Sequence, residues 1–573
     1  MVDTRTALEI RLQSAFDAVE VGSDPVLRPS DHADFQANGA LALAKRMGRN
    51  PRELAEEIVG TTSFEDLCEK VEVSGPGFIN LTLSSSFIAT QVATLARDGR
   101  LGVGRAVTET IVVDYSSPNV AKEMHVGHLR GTVIGDALCR MLTFVGHDVH
   151  RENHVGDWGT PFGMLIEHLV DLGEEKAVLE LSMGDLDTFY RQARASFDED
   201  ESFRERSRHR VVLLQSGDDE TLRLWRILVN ESVRYFDEVY DKLGVLLTDD
   251  DIVAESFYNP ALPDVVADLD AQGLLVESDG AQCVFPPGFT NRNGDPLPLI
   301  VQKSDGGFGY AATDLAAIRD RVRRVGATQI LNVVGSPQAQ HFEMVFATAA
   351  LAGWLHDGVR AAHVSFGSVL DSDRKMFKTR SGDRVRLVDL LDEAVERAGA
   401  AIAEKSPEVD PATRAAVARM LGIGAIKYAD LSTDRTRDYV FDWERMLAFE
   451  GNTAPYLQYA HARIRSIFRR GDLEVPTPGD PPVLVEPAER DLALSLLGFA
   501  DAVSSSLSSW SPSRLCTYLF DLATTFTGFY ETCPVLKAPS DDLRTSRLAL
   551  SDLTARVLAQ GLGLLGIDAP DQM

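Results

Sequence analysis

The sequence predicts an α/β protein whose parallel sheet follows a small α+β unit and precedes a helical bundle. Three patterns support this fold class. The β-branched run Thr110–Tyr115 leads through a loop into an amphipathic helix, further strand patterns occur at Gln329–Val334 and Ala361–Phe366, and the chain after about residue 385 is almost purely helical. A strand–loop–helix–strand unit is half of a nucleotide-binding α/β fold.

Size and composition indicate a soluble protein of several domains. The chain has 573 residues, of which 44% are hydrophobic and 25% charged. It has no apolar run of the roughly 20 residues that cross a bilayer, and its polar amino terminus lacks the apolar stretch of a signal peptide. Five well-separated cysteines without a C-x-x-C pair argue against disulfides and a thiolate zinc site. We therefore expect a cytoplasmic protein with no membrane contact and no metal site of its own.

The individual elements follow from local patterns. Helices are predicted around Ala7–Val19 and Ala40–Met47, before a strand in Gly75–Leu83 that alternates apolar and polar residues after a turn signal. The helix after Thr110–Tyr115 carries apolar residues at spacings of three and four. Gly146 is expected to end that helix, since glycine readily takes the left-handed conformation there.

The rest of the chain divides by composition. Residues 170–300 are helical and charged, which is typical of an insertion between the two halves of the sheet. The helices expected after residue 385 are 387–404, 411–430, 455–470, 487–507, 513–531 and 543–563. The predicted regions are 1–105, an α/β region 106–385 with the insertion, a helical junction 386–454 and a helical end 455–573.

The first functional motif is Ser117-Pro118-Asn119-Val120-Ala121-Lys122-Glu123-Met124-His125-Val126-Gly127-His128. His125 and His128 are three apart at a helix start, so they project from one face. Gly127 removes a side chain where a nucleotide could approach the backbone, and helix amino-terminal amides attract phosphate. Histidines at this spacing also occur as packing or capping residues.

The second motif is Lys375-Met376-Phe377-Lys378-Thr379-Arg380-Ser381-Gly382-Asp383. Three cationic side chains within six positions, next to glycine, suit a loop that closes over phosphates. A solvated charged loop would have the same composition.

Together the two motifs resemble a known family. His-Val-Gly-His resembles the HIGH signature of class I aminoacyl-tRNA synthetases, and Lys-Met-Phe-Lys-Thr resembles their KMSKS loop. Further tracts resemble the arginyl members, and the likeness extends from Gly75 to Ile567. These tracts are Asn153-His154-Val155-Gly156-Asp157-Trp158-Gly159, Ser304-Asp305-Gly306-Gly307-Phe308-Gly309-Tyr310, Phe449-Glu450-Gly451-Asn452-Thr453-Ala454-Pro455-Tyr456 and Phe529-Tyr530-Glu531-Thr532-Cys533-Pro534-Val535-Leu536. The resemblance implies a Rossmann-like catalytic domain, an amino-terminal tRNA-contacting domain and an all-α anticodon-binding domain.

The resemblance also implies an arginine pocket. Asp314 would bind the guanidinium with Tyr310 and Gln338, while Ser117, Asn119 and His128 would hold the backbone end of the amino acid. The chemistry agrees, because a planar, permanently charged guanidinium is best recognised by a carboxylate and further oxygen acceptors. Taken alone, Asp314 would be interpreted as a helix N-cap.

The implied reaction uses ATP, with Mg²⁺ carried on it, to form arginyl-adenylate and diphosphate before arginine moves to tRNA(Arg). Positioning and charge stabilisation dominate such catalysis, so His125, Gly127, His128, Lys122, Lys375 and Lys378 are the expected catalytic residues, with His125, His128 and Lys378 binding ATP. The loop departs from the family signature at Phe377 and Thr379, and in the arginyl family a lysine at the position of Lys122 is thought to share its duty. The division of labour among the three lysines stays open.

The implied macromolecular partner is tRNA(Arg), whose presence the family needs for adenylate formation. By resemblance, Asp442, Trp443, Asn452, Tyr456 and Tyr459 would contact tRNA, and the chain would act as a monomer. The formal net charge of −29 opposes a polyanion, so binding requires a local basic surface. The tract Arg463, Arg465, Arg469, Arg470 is one candidate, and a solvated helix face is the other interpretation.

Three alternatives remain at this point. A synthetase for another amino acid would show pyrophosphate exchange with that amino acid. A non-catalytic paralogue would tolerate loss of His125, Gly127, His128 and Lys378, which are all present. A small-molecule nucleotidylyltransferase with a HIGH-type fold would have no use for the long helical carboxyl-terminal region.

Overall fold

The structure is a computed structural model that describes residues 4–182, 186–371, 373–375, 385–405, 410–473 and 479–573. Its apolar side chains form one large core that continues from the first helix to the last, with smaller clusters under the insertion and in the junction.

The amino-terminal unit contains a four-stranded antiparallel sheet of order β1-β2-β4-β3. Its elements are α1 (Thr4–Asp17), β1 (Leu27–Pro29), β2 (Phe35–Ala37), α2 (Gly39–Met47), α3 (Pro51–Gly60), β3 (Cys68–Ser74), β4 (Phe78–Leu83) and α4 (Ser85–Arg97). The predicted helices and the strand within Gly75–Leu83 are confirmed. The sequence analysis missed β1 and β2, which are only three residues long, and α3, although Asn50 caps it and Pro51 opens it.

The central region holds the parallel sheet and the insertion. Its elements are β5 (Thr110–Asp114), α5 (Val126–Val145), β6 (Asp148–Glu152), α6 (Pro161–Leu172), α7 (Glu174–Ser182), α8 (Leu186–Glu199), α9 (Glu201–Ser216), α10 (Asp219–Leu243), α11 (Leu262–Ala271), β7 (Val276–Ser278), β8 (Ala281–Val284), β9 (Leu299–Gln302), α12 (Tyr310–Asp320), β10 (Gln329–Asn332), α13 (Ala339–Leu351), β11 (Arg360–His363) and β12 (Val369–Leu370). Short 3-10 turns cover Asp249–Asp251, Glu255–Ala261 and Ser336–Gln338, and a π turn covers Arg321–Val325.

The four strands of the central sheet are all parallel, in the order β11-β10-β5-β6. The predicted α/β class is therefore confirmed. Gly146 ends α5 with a φ of 103°, as expected. A Cβ at Gly135 would overlap the ring of Tyr115, so glycine lets α5 lie directly on the end of β5.

A buried ion cluster holds the carboxyl ends of β5 and β6 together. The guanidinium of Arg321 contacts Asp114 at 2.8 Å and Glu152 at 2.7 Å. Asn332 of β10 also donates to Asp114, at 3.0 Å. Burial lowers the pKa of Arg321, but the facing charges of Glu152 and Asp114 raise it more, so the group stays charged. The cluster fixes the strand ends from which the functional loops start.

The insertion is not purely helical, which corrects the prediction for residues 170–300. After α11 it forms an antiparallel sheet of order β7-β8-β9. Its first hairpin turns at Asp279 and Gly280, both with positive φ (50° and 77°), the conformation that Asp-Gly favours between paired strands. The signal was present in the sequence, but the strands are too short for a periodicity to stand out.

The carboxyl-terminal half is helical apart from one two-residue strand. Its elements are α14 (Leu387–Lys405), α15 (Pro411–Leu431), β13 (Tyr439–Val440), α16 (Trp443–Met446), α17 (Ala454–Gly471), α18 (Pro487–Leu496), α19 (Phe499–Ser508), α20 (Ser513–Thr532) and α21 (Asp541–Leu564). The helix predicted over 487–507 is wrong as one element. It breaks at Gly498, where the Tyr518 ring would lie 3.2 Å from a Cβ and the Tyr518 hydroxyl donates to the carbonyl of Ser495.

Polar contacts attach this helical half to the rest of the chain, among them those of Arg490 and Lys427. Arg490 of α18 binds Asp34 of the amino-terminal unit with two contacts of 3.0 and 2.6 Å. Lys427 of α15 is buried and donates to the carbonyls of Leu243 at 2.8 Å and Gly566 at 2.7 Å. Burial lowers the pKa of Lys427 to about 8. Lys427 thus joins the end of α10 to the residues that follow α21.

Candidate active site

The loop after β5 has a strained backbone that other elements stabilise. Ser116, Ser117 and Ala121 have φ values of 75°, 49° and 58°, the left-handed region that L residues rarely adopt. Each such residue costs on the order of 1–3 kcal/mol unless its surroundings compensate. Asn153 accepts from the Ser117 amide at 3.0 Å, and Ser232 accepts from the Ala121 amide at 3.0 Å. Asn153, directly after β6, and Ser232 of α10 thus hold the loop in this conformation.

The two histidines cap the helix that follows. His125 is the N-cap of α5, and its Nδ1 accepts from the Gly127 amide at 3.0 Å. The His125 amide in turn donates to Nδ1 of His128 at 3.1 Å, and the ring centroids are 4.1 Å apart. Since both Nδ1 atoms accept from backbone N–H groups, the neutral rings carry their proton on Nε2. The capping interpretation is confirmed, and it is compatible with the functional one because the cap fixes both rings side by side at the start of α5.

Gly127 is required by the first histidine. A Cβ at this position would lie 2.7 Å from Cε1 and 2.8 Å from Nδ1 of His125. The close approach that the sequence attributed to a nucleotide is therefore occupied by the imidazole ring.

The residues that follow the second motif in the chain lie beside the first motif. Val126 donates to the carbonyl of Val385 at 3.1 Å, and Leu387 donates to the carbonyl of Met124 at 2.8 Å. The chain that leaves the lysine-rich loop thus pairs with the histidine tract, with a bridge between His125 and Arg386. Arg386 also contacts Glu123, at 3.2 Å. Residues 385–387 thus contact the start of α5, about 260 positions away in sequence.

Two of the three predicted lysines lie in the described structure. Lys122 is exposed, and its ammonium lies 4.7 Å from the centre of the Tyr190 ring of α8. Lys375 is exposed at the end of a turn in which the Asp371 amide donates to the Lys375 carbonyl at 2.8 Å and the Lys375 amide donates to the Asp371 carboxylate at 2.9 Å. Lys378, with Phe377 and Thr379, lies outside the described residues.

The residues expected to hold arginine lie at the same edge of the sheet. Asn119 pairs with Gly156 after β6, and its Oδ1 fills the space that a Cβ of Gly156 would need. The next residue, Asp157, is buried and accepts from the amide and hydroxyl of Ser256 at 2.8 and 2.6 Å. Ser117 donates its hydroxyl to Asp114 at 3.2 Å. The loops after β5 and β6 therefore form one wall.

Asp314 forms the opposite wall. It lies within α12, whose N-cap is Gly309, so the N-cap interpretation of Asp314 is wrong. Its Oδ2 lies 2.6 Å from Nε2 of His341 on α13. Tyr310 is the first residue of α12 and 72% exposed, and Gln338 is exposed at the turn after β10, three residues before His341.

Glu255 lies near both walls, next to Asp157 and Asp314. It was not among the site residues predicted from the sequence. Burial, followed by the charges of Asp157 and Asp314, raises its pKa to about 8. Burial and the charge of Glu255 also raise the pKa of Tyr310. Within the described residues, no lysine or arginine forms an ion pair with Glu255, Asp157 or Asp314. Three clustered carboxyl groups without a cation are costly unless a cationic ligand binds them.

The missed residues had weak sequence signals. Glu255 is one acidic residue among many in a charged insertion, and His341 lies on a helix whose pattern is simply apolar. Asp157 was quoted as part of a family tract without a role. Only the three-dimensional contacts single them out.

The residues expected to contact tRNA differ in how exposed they are. Asp442, Asn452 and Tyr459 are exposed, whereas Tyr456 packs against Phe520 with ring centres 5.8 Å apart. Trp443 is half-buried, and the guanidinium of Arg397 lies 4.9 Å from its ring. The structure thus makes Tyr456 and Trp443 largely packing residues.

The described residues contain neither a membrane-spanning helix nor a group of metal ligands. None of the helices described is both long and apolar enough to cross a membrane. Within the same ranges, no three His, Cys, Asp or Glu side chains are grouped as metal ligands. All five cysteines are buried and free.

Comparison with known families agrees with this architecture. Residues 91–443 match the family described as "tRNA synthetases class I (R), catalytic domain". Residues 4–83 match "Arginyl tRNA synthetase N terminal domain", and residues 457–573 match "DALR anticodon binding domain". The fold is that of a class I tRNA synthetase.

Individual relatives narrow the family further. The arginine–tRNA ligase of Thermobifida fusca is 56% identical over 577 residues, which cover 100% of both chains. That of Proteus mirabilis is 48% identical and covers 96% of both. The arginyl-tRNA synthetase of Plasmodium falciparum superposes with a TM-score of 0.84 at 30% identity, over 99% of this chain and 98% of the other. That of Thermus thermophilus gives 0.83 at 27% identity, over 99% and 100%. The chain belongs to the arginine–tRNA ligase family.

Proposed function

We propose that the carboxyl edge of the parallel sheet activates arginine with ATP and transfers it to tRNA(Arg). The arginine carboxylate attacks the α-phosphate of ATP, which gives arginyl-adenylate and diphosphate. The terminal adenosine of the tRNA then takes the arginine and releases AMP.

The observation that carries this proposal is the convergence of two opposite charge environments. His125, His128 and Lys122 lie at or just before the start of α5, where we expect the triphosphate to bind. The carboxyl groups of Asp314 and Glu255 form the cation-seeking side of the same edge. ATP and arginine carry the complementary charges.

The proposed roles in ATP binding follow from charge. Lys122, Lys375 and Lys378 stabilise the negative charge that moves onto the leaving diphosphate, and the histidines donate to phosphate oxygens. Mg²⁺ is proposed to arrive with the triphosphate that carries it.

The proposed roles in arginine binding follow from geometry. Asp314 accepts from the guanidinium, held in place by His341, and Tyr310, Gln338 and Glu255 complete the pocket. Ser117, Asn119 and His128 hold the amino and carboxylate groups next to the phosphate. A fixed orientation of the two substrates supplies most of the rate advantage.

The wider organisation is proposed from the family. Residues 1–105 contact the outer corner of the tRNA, 106–385 carry out catalysis, 386–454 form the stem-contacting junction and 455–573 read the anticodon region. Asp442, Trp443, Asn452, Tyr456 and Tyr459 lie along this path. The chain is proposed to act as a monomer in the cytoplasm.

The test is pyrophosphate exchange and aminoacylation with each of the 20 standard amino acids in the presence of total tRNA. Arginine alone should support both reactions, and exchange should require tRNA. Charging with another amino acid, or none with arginine, would overturn the proposal.

A further inference from the structure

Tyr240 lies on α10, a helix of the insertion, and its side chain reaches the strained loop that follows β5. The residue is only 3% exposed. Its hydroxyl lies 2.8 Å from Oγ of Ser116 and 3.0 Å from Nδ2 of Asn153. The hydroxyl therefore serves these two polar groups, since a phenylalanine would fill the same apolar volume without it.

The direction of these hydrogen bonds follows from their neighbours. Oδ1 of Asn153 accepts from the Ser117 amide at 3.0 Å, so Nδ2 of Asn153 is the group that donates to Tyr240. The single proton of the phenol is then donated to Oγ of Ser116. Burial raises the pKa of Tyr240, so the phenol keeps this proton. One hydroxyl thus supports two loop residues with left-handed backbone, Ser116 directly and Ser117 through Asn153.

The same side of α10 holds the far end of the loop. Ser232 comes eight positions before Tyr240, so the two side chains lie about two turns apart on one side of the helix. Ser232 is fully buried and accepts from the amide of Ala121, the third loop residue with a positive φ. The left-handed residues of the loop are therefore all held from α10.

Ser116 also contacts the helix that carries the two histidines. The Thr132 hydroxyl lies 2.9 Å from Oγ of Ser116 and 2.8 Å from the carbonyl of His128. Thr132 is fully buried on α5, one turn after His128. Tyr240 and Thr132 thus hold Ser116 from two helices. This arrangement sets the position of the next residue, Ser117, relative to the start of α5.

We propose that Tyr240 is a positioning residue for the activation of arginine. It holds Ser117 and Asn119 in the conformation that binds the amino and carboxylate groups of the substrate. This inference rests on the proposed function, because it assigns the support behind the loop that orients arginine there. A displacement of about 1 Å is enough to lower the rate of a positioned reaction by about 100-fold. Helix α10 thus takes part in amino acid activation, although it carries none of the proposed substrate contacts.

Pyrophosphate exchange in the presence of tRNA measures the effect in the full chain. Tyr240→Phe removes one hydroxyl and keeps the ring, and it should lower kcat/KM for arginine by about 10- to 100-fold. The KM for ATP should stay within about twofold of that of the wild type. Tyr258→Phe is the matched control, because Tyr258 is 1% exposed and its hydroxyl has no hydrogen-bond partner among the described residues.

A second readout separates positioning from a general loosening of the site. Butylguanidine carries the guanidinium and the carbon chain of arginine but has no amino or carboxylate group. Its inhibition constant should be the same for Tyr240→Phe and the wild type, since the proposed guanidinium pocket at Asp314 and Glu255 does not change. An inhibition constant that rises as much as the KM for arginine would give Tyr240 a purely structural role and would overturn the inference.

A double-mutant cycle tests the hydrogen bond itself. Ser116→Ala removes the acceptor of the Tyr240 proton and should also lower kcat/KM for arginine. If both variants act through this one bond, the double variant should lose clearly less than the product of the two single losses. Losses that multiply in full would show that the two residues act independently, which would overturn the inference.

The remaining outcomes are distinct. Unchanged kinetics for arginine in Tyr240→Phe would overturn the inference, and so would an equal loss in Tyr258→Phe. If thermal melting shows that Tyr240→Phe does not fold, Ser116→Ala decides, because it removes the same hydrogen bond from the other end. If the wild-type chain catalyses exchange with arginine but the variants match it, only this inference fails. If the wild-type chain shows no exchange with arginine, the proposed function fails whatever the variants do.

Discussion

The edge of the parallel sheet and the carboxyl-terminal helical region differ in whether their charged side chains are paired. In the helical region most buried charges are paired: Arg547 contacts Glu489 at 2.6 Å and Arg465 contacts Asp552 at 2.8 Å. At the sheet edge, Glu255, Asp157 and Asp314 lie together, and no lysine or arginine pairs with them in the described chain. The paired charges stabilise the packing of the helices. The carboxyl groups at the sheet edge, which have no lysine or arginine partner in the described chain, can bind a cationic ligand.

The difference explains why total charge is a poor guide to what this protein binds. The chain is strongly acidic but its family binds a polyanion, which requires local cation excess only where contact occurs. Conversely, acidic residues matter for arginine only where burial gathers them without partners. Substitutions in the two regions should therefore have different kinds of effect.

The largest effect is expected at Asp314. Asp314→Ala should raise the KM for arginine by about 100-fold or more in tRNA-dependent pyrophosphate exchange, since it removes one partner of a desolvated charge pair. The KM for ATP should stay close to that of the wild type.

Asp320→Ala is the matched control for this variant. Asp320 lies on the same helix and forms a surface pair with Arg324, so arginine kinetics should not change. Arginylation by Asp314→Ala at the wild-type rate and affinity would refute the pocket.

Lys122 should affect turnover more than binding. Lys122→Ala should lower kcat by about 100-fold, because electrostatic contacts to a transferring phosphoryl group act mainly in the transition state. Single-turnover adenylate formation measures this step directly. Lys176→Ala, an exposed lysine of α7 that pairs with Glu180, serves as the control. Turnover that survives in Lys122→Ala would move the role to the lysines of the second motif.

Glu255 should make arginine binding depend on pH. Its pKa is raised to about 8, so its carboxyl group is protonated at neutral pH in the empty site. A guanidinium favours the ionised form, so binding must release this proton. The KM for arginine should fall by up to about tenfold per pH unit as pH rises towards 8, and then level off.

The Glu255→Gln variant tests whether Glu255 is the group that causes this pH dependence. The variant should bind arginine more weakly at pH 8.5 and show a flat profile between about pH 6 and 8, measured in the same exchange assay. An unchanged pH profile in the variant would show that another group is responsible.

The smallest functional effect is expected in the paired region. Arg465→Gln breaks a pair whose side chains are 21% and 8% exposed, and should lower the free energy of unfolding by about 1–2 kcal/mol. Urea denaturation measures the loss. The salt dependence of tRNA binding should stay at the wild-type slope. A reduced slope with unchanged stability would place Arg465 in a tRNA contact and erase the contrast between the regions.

Much of the fold could be predicted because its signals are local. The helix from Val126 to Val145, its end at Gly146 and the strands that flank it all follow from short-range periodicity and backbone preference. The strands β7 to β9 were missed because three or four residues are too few to establish an alternation. The break at Gly498 depends on a tyrosine 20 residues away, which no local pattern reveals.

The candidate site also has residues that could be predicted from local sequence and residues that could not. His125, Gly127 and His128 lie within four residues, and the motif contains its own geometric reason, since the rings and amides cap one another. Glu255, Asp157 and His341 acquire meaning only from contacts across 27 to 99 residues. The partners of the arginines in the Arg463–Arg470 tract could not be predicted either, because pairing is a property of the folded chain.

The most direct test of the account compares arginine with citrulline, in which a neutral urea group replaces the guanidinium at nearly the same shape. Neither Asp314 nor Glu255 pairs with a lysine or arginine of the described chain. If their carboxyl groups recognise charge, kcat/KM for citrulline in tRNA-dependent pyrophosphate exchange should be about 1,000-fold or more below that for arginine. Values within about tenfold of each other would show that the pocket reads shape alone and would contradict the account.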